Sequence, residues 1–220
     1  MAAMRARAAS RRIPAKSRRA AAHPGEARDM DERILATADR LFSRQGLRAV
    51  GVDTIAAEAG ISKRTLYNHY PSKEMLVLAH LRRRYGALTH ADDGLADAPP
   101  AEQILAAFDR LARAIADPSF RGCPFVNAVA ELGVPGPGAD HETNALAIAF
   151  KEERRQWFRR RLERLAVADP DALATQLALL VDGCIAVGLV RRDPAMARAA
   201  GAAARTLLAA AGVAVAPRGT

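Results

Sequence analysis

The stretch that decides the fold is GLRAVGVDTIAAEAGISKRTLYNHYPSKEML, which runs from Gly46 to Leu76. Its apolar residues recur at helical spacing, which predicts one short helix from Val52 to Ala59 and another from Lys63 to about Tyr70. A glycine turn separates the two helices. Ser62 can cap the second helix, and Pro71 ends it because proline lacks the backbone donor that a helix needs. Two short helices joined in this way are typical of a helix-turn-helix.

The side chains of the second helix divide into an inner and an outer face. Leu66 and Tyr70, four residues apart, are predicted to face the core of the domain. The outer face then carries two cations, a phenol and an amide, from Lys63, Arg64, Tyr67 and Asn68. In a helix-turn-helix the second helix enters the DNA major groove and its first turns face the base edges.

A longer helix is predicted before this pair. Asp29 and Glu32 have the spacing of a capping box, and the apolar residues that follow trace one stripe to about Ser43. The stripe consists of Ile34, Leu35, Ala38, Leu41 and Phe42. The three helices together predict a helix-turn-helix DNA-binding domain over residues 29–85.

The same segment strongly resembles the N-terminal domain of the TetR family of transcription regulators. The family's closing pattern, T-L-Y-x-H-[FY]-x-[SD]-K-E, reads TLYNHYPSKE here, from Thr65 to Glu74. The resemblance implies base-edge or groove contacts from Lys63, Arg64 and Asn68. It implies phosphate contacts from Thr65, Tyr67, His69 and Lys73. The full predicted DNA-binding set is Ser62, Lys63, Arg64, Thr65, Tyr67, Asn68, His69, Tyr70 and Lys73.

One position departs from the family pattern. Gly51 stands where the family usually has Thr or Ser as the cap of the first short helix, so a hydroxyl contact to phosphate is missing there. Because glycine is a tolerated cap, we expect slightly weaker anchoring on DNA and an intact fold.

The net charge of +9 is spread unevenly along the chain. Residues 1–28 carry +7, residues 29–90 carry +3, and the remainder carries −1. The charge therefore favours nucleic-acid binding only at the N-terminal end. Residues 1–28 have little apolar bulk, which predicts a disordered basic arm. Such an arm contacts DNA phosphates or the minor groove, or it is a solvated extension, or it results from a start codon upstream of Met30.

Residues 86–220 are predicted to be a helical regulatory and dimerisation domain. No segment shows the alternation of a half-buried strand, so the expected class is all-α with about nine helices. Apolar periodicity predicts helices over Ala101–Ala116, Cys123–Leu132 and Ala139–Ala166, and Asp-Pro pairs at 169–170 and 193–194 open two more. The stretch RGCPFVNAVAEL, from Arg121 to Leu132, is similar to a subgroup of the TetR family.

The resemblance implies a small-molecule site within this regulatory half. Aromatic walls with a few polar points are typical of ligand pockets. The candidates are Phe108, Cys123, Phe125, Asn127, Phe150, Trp157 and Cys184. Each is also compatible with plain core packing, and Asn127 could cap a neighbouring backbone group. Cys123, at a helix start, is either a sensor of oxidants or a small buried hydrophobe.

The last two helices are expected to form half of a four-helix dimer interface, as in the resembled family. The first of them is apolar on two faces, and both must be covered. The predicted interface residues are Leu173, Leu177, Val181, Ile185, Met196 and Leu207. Burial of both faces within one chain is the alternative. Dimerisation is favoured because helix-turn-helix proteins usually pair to read symmetric half-sites.

Several classes of protein are not supported by the sequence. The five histidines are scattered, no metal-ligand cluster is visible, and neither cysteine has a base partner, so we expect no enzyme, cofactor or metal. No apolar run approaches the roughly 20 residues of a membrane span, which predicts a soluble, cytoplasmic protein without a membrane partner. A general DNA-architectural protein is a second interpretation, and it predicts salt-sensitive, sequence-tolerant binding.

The expected function is therefore sequence-specific transcription regulation. The predicted partners are a double-stranded DNA operator, a second copy of the chain and an unknown small-molecule effector. Repression by the ligand-free protein, with release from a palindromic operator by the ligand, is implied by the resemblance and not by these residues. The sequence does not specify the effector, the operator or the regulated genes.

Overall fold

The computed structural model describes residues 24–89, 97–133 and 142–215. Within these ranges the chain forms nine helices and no strand, which confirms the predicted all-α class. The helices are α1 Pro24–Gln45, α2 Val52–Glu58, α3 Lys63–His69, α4 Lys73–Thr89, α5 Pro100–Ala116, α6 Pro124–Leu132, α7 Glu142–Arg164, α8 Pro170–Arg191 and α9 Ala195–Ala210.

The first helix, α1, begins earlier than the sequence predicted. It starts at Pro24, so Asp29 lies inside the helix and the predicted capping box of Asp29 and Glu32 is wrong. The fixed φ of proline suits a first helical turn, and the Glu, Ala and Arg that follow are good helix formers. The helix therefore extends upstream of its apolar stripe. Residues 1–23 of the predicted arm lie outside the described residues, and residues 24–28 belong to α1.

The first four helices pack around one apolar core. One fully buried side chain from each helix lies in it, namely Ile34, Ile55, Leu66 and Leu76. Burying a side chain of this size contributes about 1.5–3 kcal/mol. Helices as short as α2 and α3 do not form alone in water, so this burial is what holds them in place.

The long helix α4 joins the two parts of the chain without a break. The predicted domain boundary at residue 85 falls inside it. Tyr85 packs edge-on against Phe125 of α6 and Phe150 of α7, with ring centroids 6.2 and 5.7 Å away. Phe125 and Phe150 stack on each other at 4.1 Å. This aromatic cluster fixes α4 against α6 and α7.

Helices α5, α7, α8 and α9 form a second core. Its fully buried side chains are Ile104, Phe108, Phe158, Leu162, Leu177 and Leu208. The start of α8 is as predicted: the Asp169 carboxylate accepts a hydrogen bond from the Ala172 N–H at 3.0 Å, and Pro170 occupies the first turn. The start of α9 differs from the prediction: Pro194 is the N-cap, and Asp193, one residue earlier, accepts from the Ala195 N–H at 2.8 Å.

The helix α8 contradicts the expectation that no apolar run approaches the length of a membrane span. It has 22 residues, its most apolar window has a mean hydropathy of 2.0, and 33% of that window is buried inside the chain. The physical reason is that α8 packs against α5, α7 and α9, so more than one of its faces is apolar. A core helix satisfies the same criteria of length and composition as a membrane span.

Gly188 allows α8 to approach α5 closely. A Cβ at this position would lie 2.5 Å from Cδ1 and 2.9 Å from Cγ1 of the buried Ile115. We expect Gly188→Ala to lower the free energy of unfolding by about 1–3 kcal/mol, because Ile115 has to move. Gly86→Ala in α4 is the matched control: nothing lies within 4 Å of its Cβ, and we expect stabilisation of up to about 1 kcal/mol. Urea unfolding measures both, and equal shifts would contradict this packing.

Candidate nucleic-acid interface

The helix α3 is positioned by its own cap and by the core beneath it. Ser62 Oγ accepts a hydrogen bond from the Thr65 N–H at 3.0 Å, which satisfies one of the free amides at the helix start. The same Oγ lies 2.8 Å from Oγ1 of Thr65. Leu66 is fully buried, and this fixes the rotation of α3 about its own axis. The side chains on the opposite side of α3 therefore point away from the core.

The outer face of α3 carries the side chains that the sequence predicted there. Lys63, Arg64, Tyr67 and Asn68 are all exposed. They present two cations, a phenol and an amide within two helical turns. Arg and Asn are the side chains that pair with the edges of guanine and adenine in the major groove. The arrangement is suited to reading DNA.

Lys63 forms an ion pair with Asp53 of α2. Its Nζ lies 2.9 Å from Oδ1 of Asp53, and this hydrogen bond raises the pKa of Lys63 above its usual value. Both side chains are largely exposed, so solvent screens the pair and its contribution to stability is small. An acceptor on DNA can therefore replace Asp53 as the partner of Lys63 at little cost.

Three other predicted DNA-binding residues contact neighbouring elements. His69 Nδ1 lies 2.7 Å from Oδ1 of Asp31 in α1. Lys73, the first residue of α4, donates from Nζ to the Arg48 carbonyl at 3.5 Å. Tyr70 is half-buried against the first core, and this burial raises the pKa of its phenol. These contacts orient the end of α3 and the start of α4, and they leave Nε2 of His69 and further N–H donors of Lys73 for other partners.

Arg48 is a cation of this surface that the sequence analysis did not include. It is exposed in the loop between α1 and α2, three residues before the Gly51 cap. Its carbonyl is the group that Lys73 contacts, so its backbone lies beside the ammonium of Lys73. The signal in the sequence was a basic residue four positions before the start of α2.

Gly51 caps α2 without a side-chain hydrogen bond, as its identity predicted. Its φ of −82° and ψ of 156° suit any residue, and nothing lies within 4 Å of a Cβ placed there. We expect Gly51→Thr to stabilise the protein by roughly 0.3 kcal/mol. We also expect roughly two- to tenfold tighter DNA binding, because the new hydroxyl can donate to a phosphate.

Gly51→Val is the matched control for this prediction, because it has the shape of Thr without the hydroxyl. It should be about 1 kcal/mol less stable than Gly51→Thr and should bind DNA no more tightly than the original chain. Thermal unfolding and a DNA titration measure the two effects. Identical behaviour of the Thr and Val variants would show that the hydroxyl does nothing at this position.

The predicted ligand-binding residues are not gathered around one cavity. Cys123, Phe125 and Phe150 lie in the first core, and Phe108 lies in the second. Cys184 packs in a small third cluster. Phe125 also lines an apolar groove of about 790 Å³ between α6, α7 and α8.

Trp157 and Asn127, the other two ligand candidates, make contacts of their own. The guanidinium carbon of Arg161 lies 3.5 Å from the centroid of the Trp157 ring, which is a cation–π contact. Asn127 Nδ2 donates to the Arg121 carbonyl at 2.7 Å, which is the backbone-capping role that the sequence left open. Asn127 also lines a second cavity of about 460 Å³, bounded by α1, α4 and the loop between α5 and α6.

Both cysteines are free and buried. Burial raises the pKa of the Cys184 thiol, which disfavours the reactive thiolate. Cys123 is 5% exposed and packs in the first core. Their surroundings support the interpretation of both residues as small hydrophobic core side chains.

The dimer residues predicted on α8 face the inside of the chain. Leu173, Leu177 and Val181 are buried in the second core. The other three predicted residues are half-buried and pack against the cores, namely Ile185, Met196 and Leu207.

A different face of α8 is apolar and open to solvent. Leu179, Val187 and Val190 are 66%, 43% and 82% exposed. Gly183 and Ala186 are exposed between them. The spacing of three and four residues places all five along one side of the helix, which we call the open face of α8. The sequence analysis missed this face because both sides of α8 are apolar, and periodicity does not tell which side is covered.

Comparisons with known proteins agree with this geometry. The family model described as bacterial regulatory proteins, tetR family, matches residues 34–80. The structure of a TetR-type transcriptional regulator from Streptomyces avermitilis is similar, with 33% identity, a TM-score of 0.71 and coverage of 84% of this chain and 99% of that one. The structure of a TetR-family transcriptional regulator from Streptomyces coelicolor is also similar, with 31% identity, a TM-score of 0.72 and coverage of 85% of this chain and 96% of that one. An uncharacterized HTH-type transcriptional regulator from Mycobacterium tuberculosis, MT1294, is 29% identical over 183 residues, which are 77% of this chain and 90% of its own.

The fold and the outer face of α3 define a helix-turn-helix transcription regulator that binds DNA and is not an enzyme. The chain belongs to the TetR family of bacterial transcriptional regulators.

Proposed function

We propose that this protein is a cytoplasmic repressor that binds a palindromic operator as a homodimer and is released by a small-molecule ligand. The observation that carries the proposal is the outer face of α3, where exposed Lys63, Arg64 and Asn68 project from a helix that the buried Leu66 holds in place. Two copies related by a twofold axis would read two half-sites about one turn of DNA apart, roughly 34 Å. α1 to α4 would bind DNA, and α5 to α9 would regulate.

The contacts that read sequence are assigned to the first turns of α3. Arg64 and Asn68 lie four residues apart on the exposed side, so both can reach base edges from one helix in the groove. Lys63 is the first residue of α3, and it would have to break only its solvent-exposed ion pair with Asp53 to contact DNA. These three side chains would determine which operator is bound.

The contacts that hold the protein in register are assigned to the phosphate backbone. They would come from Thr65, Tyr67, His69 and Lys73. His69 would use Nε2, because Asp31 lies against Nδ1 and fixes the orientation of the ring. Ser62 and Tyr70 would position α3 and not touch bases, since Ser62 caps the helix and Tyr70 packs against the core.

The dimer interface is assigned to the open face of α8 together with α9. An apolar stripe of this length is unusual on the surface of a monomer. Exposed small residues on α9, Ala199, Ala202 and Thr206, recur at the same spacing and allow a second pair of helices to approach. The four helices of two chains would then cover one another. This also explains why α8 is apolar on both sides.

Release requires a ligand that prefers a different separation of the two α3 helices. The structure contains direct bonds between the regulatory helices and the DNA-binding helices. The Arg48 N–H donates to Oε2 of Glu131 in α6 at 2.8 Å. Arg121 donates from Nη2 to the Arg44 carbonyl at the end of α1, at 2.7 Å. A movement of α6 would therefore reach the loop that leads into α2 and α3.

A gel shift of the purified protein on the DNA upstream of its own gene, with unrelated competitor DNA, tests this function. We expect a competitor-resistant shift and a site with twofold symmetry. A reporter behind the same DNA should be expressed less when the protein is present. Binding to all sequences alike, also on selected random DNA, would refute the specific regulator and favour a DNA-architectural protein. Higher reporter expression would indicate an activator.

A further inference from the structure

The cavity of about 460 Å³ lies where the DNA-binding helices meet the regulatory helices. α1, α4, α6, α8 and the loop between α5 and α6 all contribute to its wall. Its apolar lining includes Phe42, Leu47, Phe120 and Leu189. Sites for small organic molecules usually have volumes of roughly 300–1,000 Å³. The cavity is thus large enough for a small ligand.

Arg84 of α4 lines this cavity and carries a buried donor without an acceptor. Its Nε is shielded from solvent and makes no hydrogen bond within the part of the chain that the structure describes. The pKa of the Asp39 carboxyl is lowered by its contact with His80, whose Nδ1 lies 2.9 Å away, and less by the charge of Arg84. The Asp39 carboxylate thus lies near both groups, but it accepts no hydrogen bond from Nε of Arg84. A guanidinium donor left in this state costs free energy, and a ligand that supplies an acceptor recovers it.

Three other charged side chains of the lining, those of Asp117, Glu131 and Arg121, are already bonded. Asp117 accepts from a backbone N–H two residues later at 2.7 Å, and Glu131 accepts from the Arg48 N–H at 2.8 Å. Arg121 donates to the Arg44 carbonyl at 2.7 Å. The lining holds three arginines against two acids, so its balance is positive. Within this lining, the buried donor that lacks an acceptor among the described residues is Nε of Arg84.

We propose that this cavity is an effector site for a small organic carboxylate with an apolar body. The carboxylate pairs with Arg84, and the apolar body lies between Phe42, Phe120 and Leu189. The planar guanidinium matches a carboxylate with two parallel hydrogen bonds, which a neutral amide of the same shape cannot reproduce. The inference rests on the proposed function, because it names the chemistry of the ligand that releases DNA.

A ligand in the cavity would act on the DNA-binding helices through two hydrogen bonds at the edge of the cavity, from the Arg48 N–H to Glu131 and from Arg121 to the Arg44 carbonyl. Gly46 lies between the Arg44 carbonyl, which Arg121 contacts, and the Arg48 N–H, which Glu131 contacts. A Cβ on Gly46 would be 3.2 Å from both carboxylate oxygens of Glu131. Gly46 has a φ of +89°, a conformation that favours glycine. The loop thus fits closely against Glu131 and continues directly into α2 and α3. A ligand that displaces Glu131 or Arg121 has to displace this loop as well.

Calorimetric titration of the full-length protein with sodium salts of simple acids tests the site. The probes are butyrate, hexanoate, octanoate, benzoate and phenylacetate, each compared with its neutral amide. We expect one or more acids to bind at least tenfold more tightly than the matching amide. Arg84→Gln should reduce this affinity at least tenfold, and Arg84→Lys, which keeps the charge but loses the planar fork, should lie between. Arg82→Gln is the matched control on the same helix, because Arg82 is exposed and pairs with Glu142 outside the cavity.

The same acids are then added to the complex with DNA. We expect the tightest acid to weaken DNA binding by the original chain at least fivefold, and to leave Arg84→Gln bound. Three results would each overturn the proposal. The first is that every acid binds no better than its amide, and the second is that the Arg84→Gln variant binds the acids as tightly as the original chain. The third is that an acid binds but leaves the affinity for DNA unchanged. If Arg84→Gln does not fold by circular dichroism, the acid-to-amide comparison and Arg84→Lys decide. Failure of the original chain to bind any DNA specifically would count against the proposed function instead.

Discussion

Arg64→Ala is expected to lower the affinity for the operator by roughly 30-fold or more while nonspecific DNA binding stays nearly unchanged. Arg64 is exposed on the first turn of α3, and in the proposed complex its guanidinium reaches a base edge. One such contact is worth about 1–3 kcal/mol. Because the proposed homodimer would lose the contact in both half-sites, the expected loss is about 2–6 kcal/mol, and about 1.4 kcal/mol corresponds to tenfold in affinity.

Tyr67→Ala separates base contacts from phosphate contacts. If Tyr67 touches phosphate, its removal weakens binding to operator and random DNA by similar factors, whereas Arg64→Ala weakens only the former. Titrations on both DNAs measure this ratio. Arg164→Ala, at the exposed end of α7, is the control for loss of a cation far from α3. Thermal unfolding of all three variants should match the original chain. If the ratio of operator affinity to random-DNA affinity is unchanged in Arg64→Ala, the first turn of α3 does not read bases.

Leu179→Glu is expected to convert the proposed dimer into monomers and to reduce operator binding about 100-fold or more. Leu179 is 66% exposed and is the first residue of the open face of α8. A charge there would be buried against the apolar face of the second copy without a partner, which is costly. Two linked recognition helices bind DNA with an affinity about 100 to 10,000 times that of a single one. The monomer itself should stay folded, because the side chain contributes little to its core.

Light scattering after gel filtration measures the mass of the Leu179→Glu variant, and a gel shift measures its DNA binding. Leu88→Glu is the matched control, because Leu88 is a similarly exposed leucine, 47% accessible, on α4. Leu88→Glu should remain dimeric and bind DNA normally. A Leu179→Glu variant that keeps the mass of a dimer would place the interface elsewhere.

The helix-turn-helix could be predicted from sequence because its signals are local. Ser62 accepts from the Thr65 N–H, α3 spans Lys63–His69, and Leu66 is buried, all as the pattern indicated. Helix caps, prolines and turns act within a few residues, so the local sequence is enough to predict where these helices begin and end. The start of α1 was misplaced because the apolar stripe was taken as the extent of the helix, whereas helix propensity carries it back to Pro24.

The regulatory half was predicted correctly as helices but not in its surfaces. α8 is apolar on two sides, and only packing against α5, α7 and α9 shows that Leu177 is covered while Leu179 is open. Arg84 was not singled out either. Its significance comes from burial beside groups of α1 and α6 that are distant in sequence.

The sequence by itself determined the all-α class, the helix-turn-helix and the identity of the outward side chains of α3, because these depend on spacing and end signals within single helices. The tertiary structure alone decided which face of α8 is open, where the two cavities lie and that Glu131 bonds to the Arg48 N–H across 83 positions of the chain. Helix periodicity defines faces, but which faces meet depends on the packing of whole helices against one another.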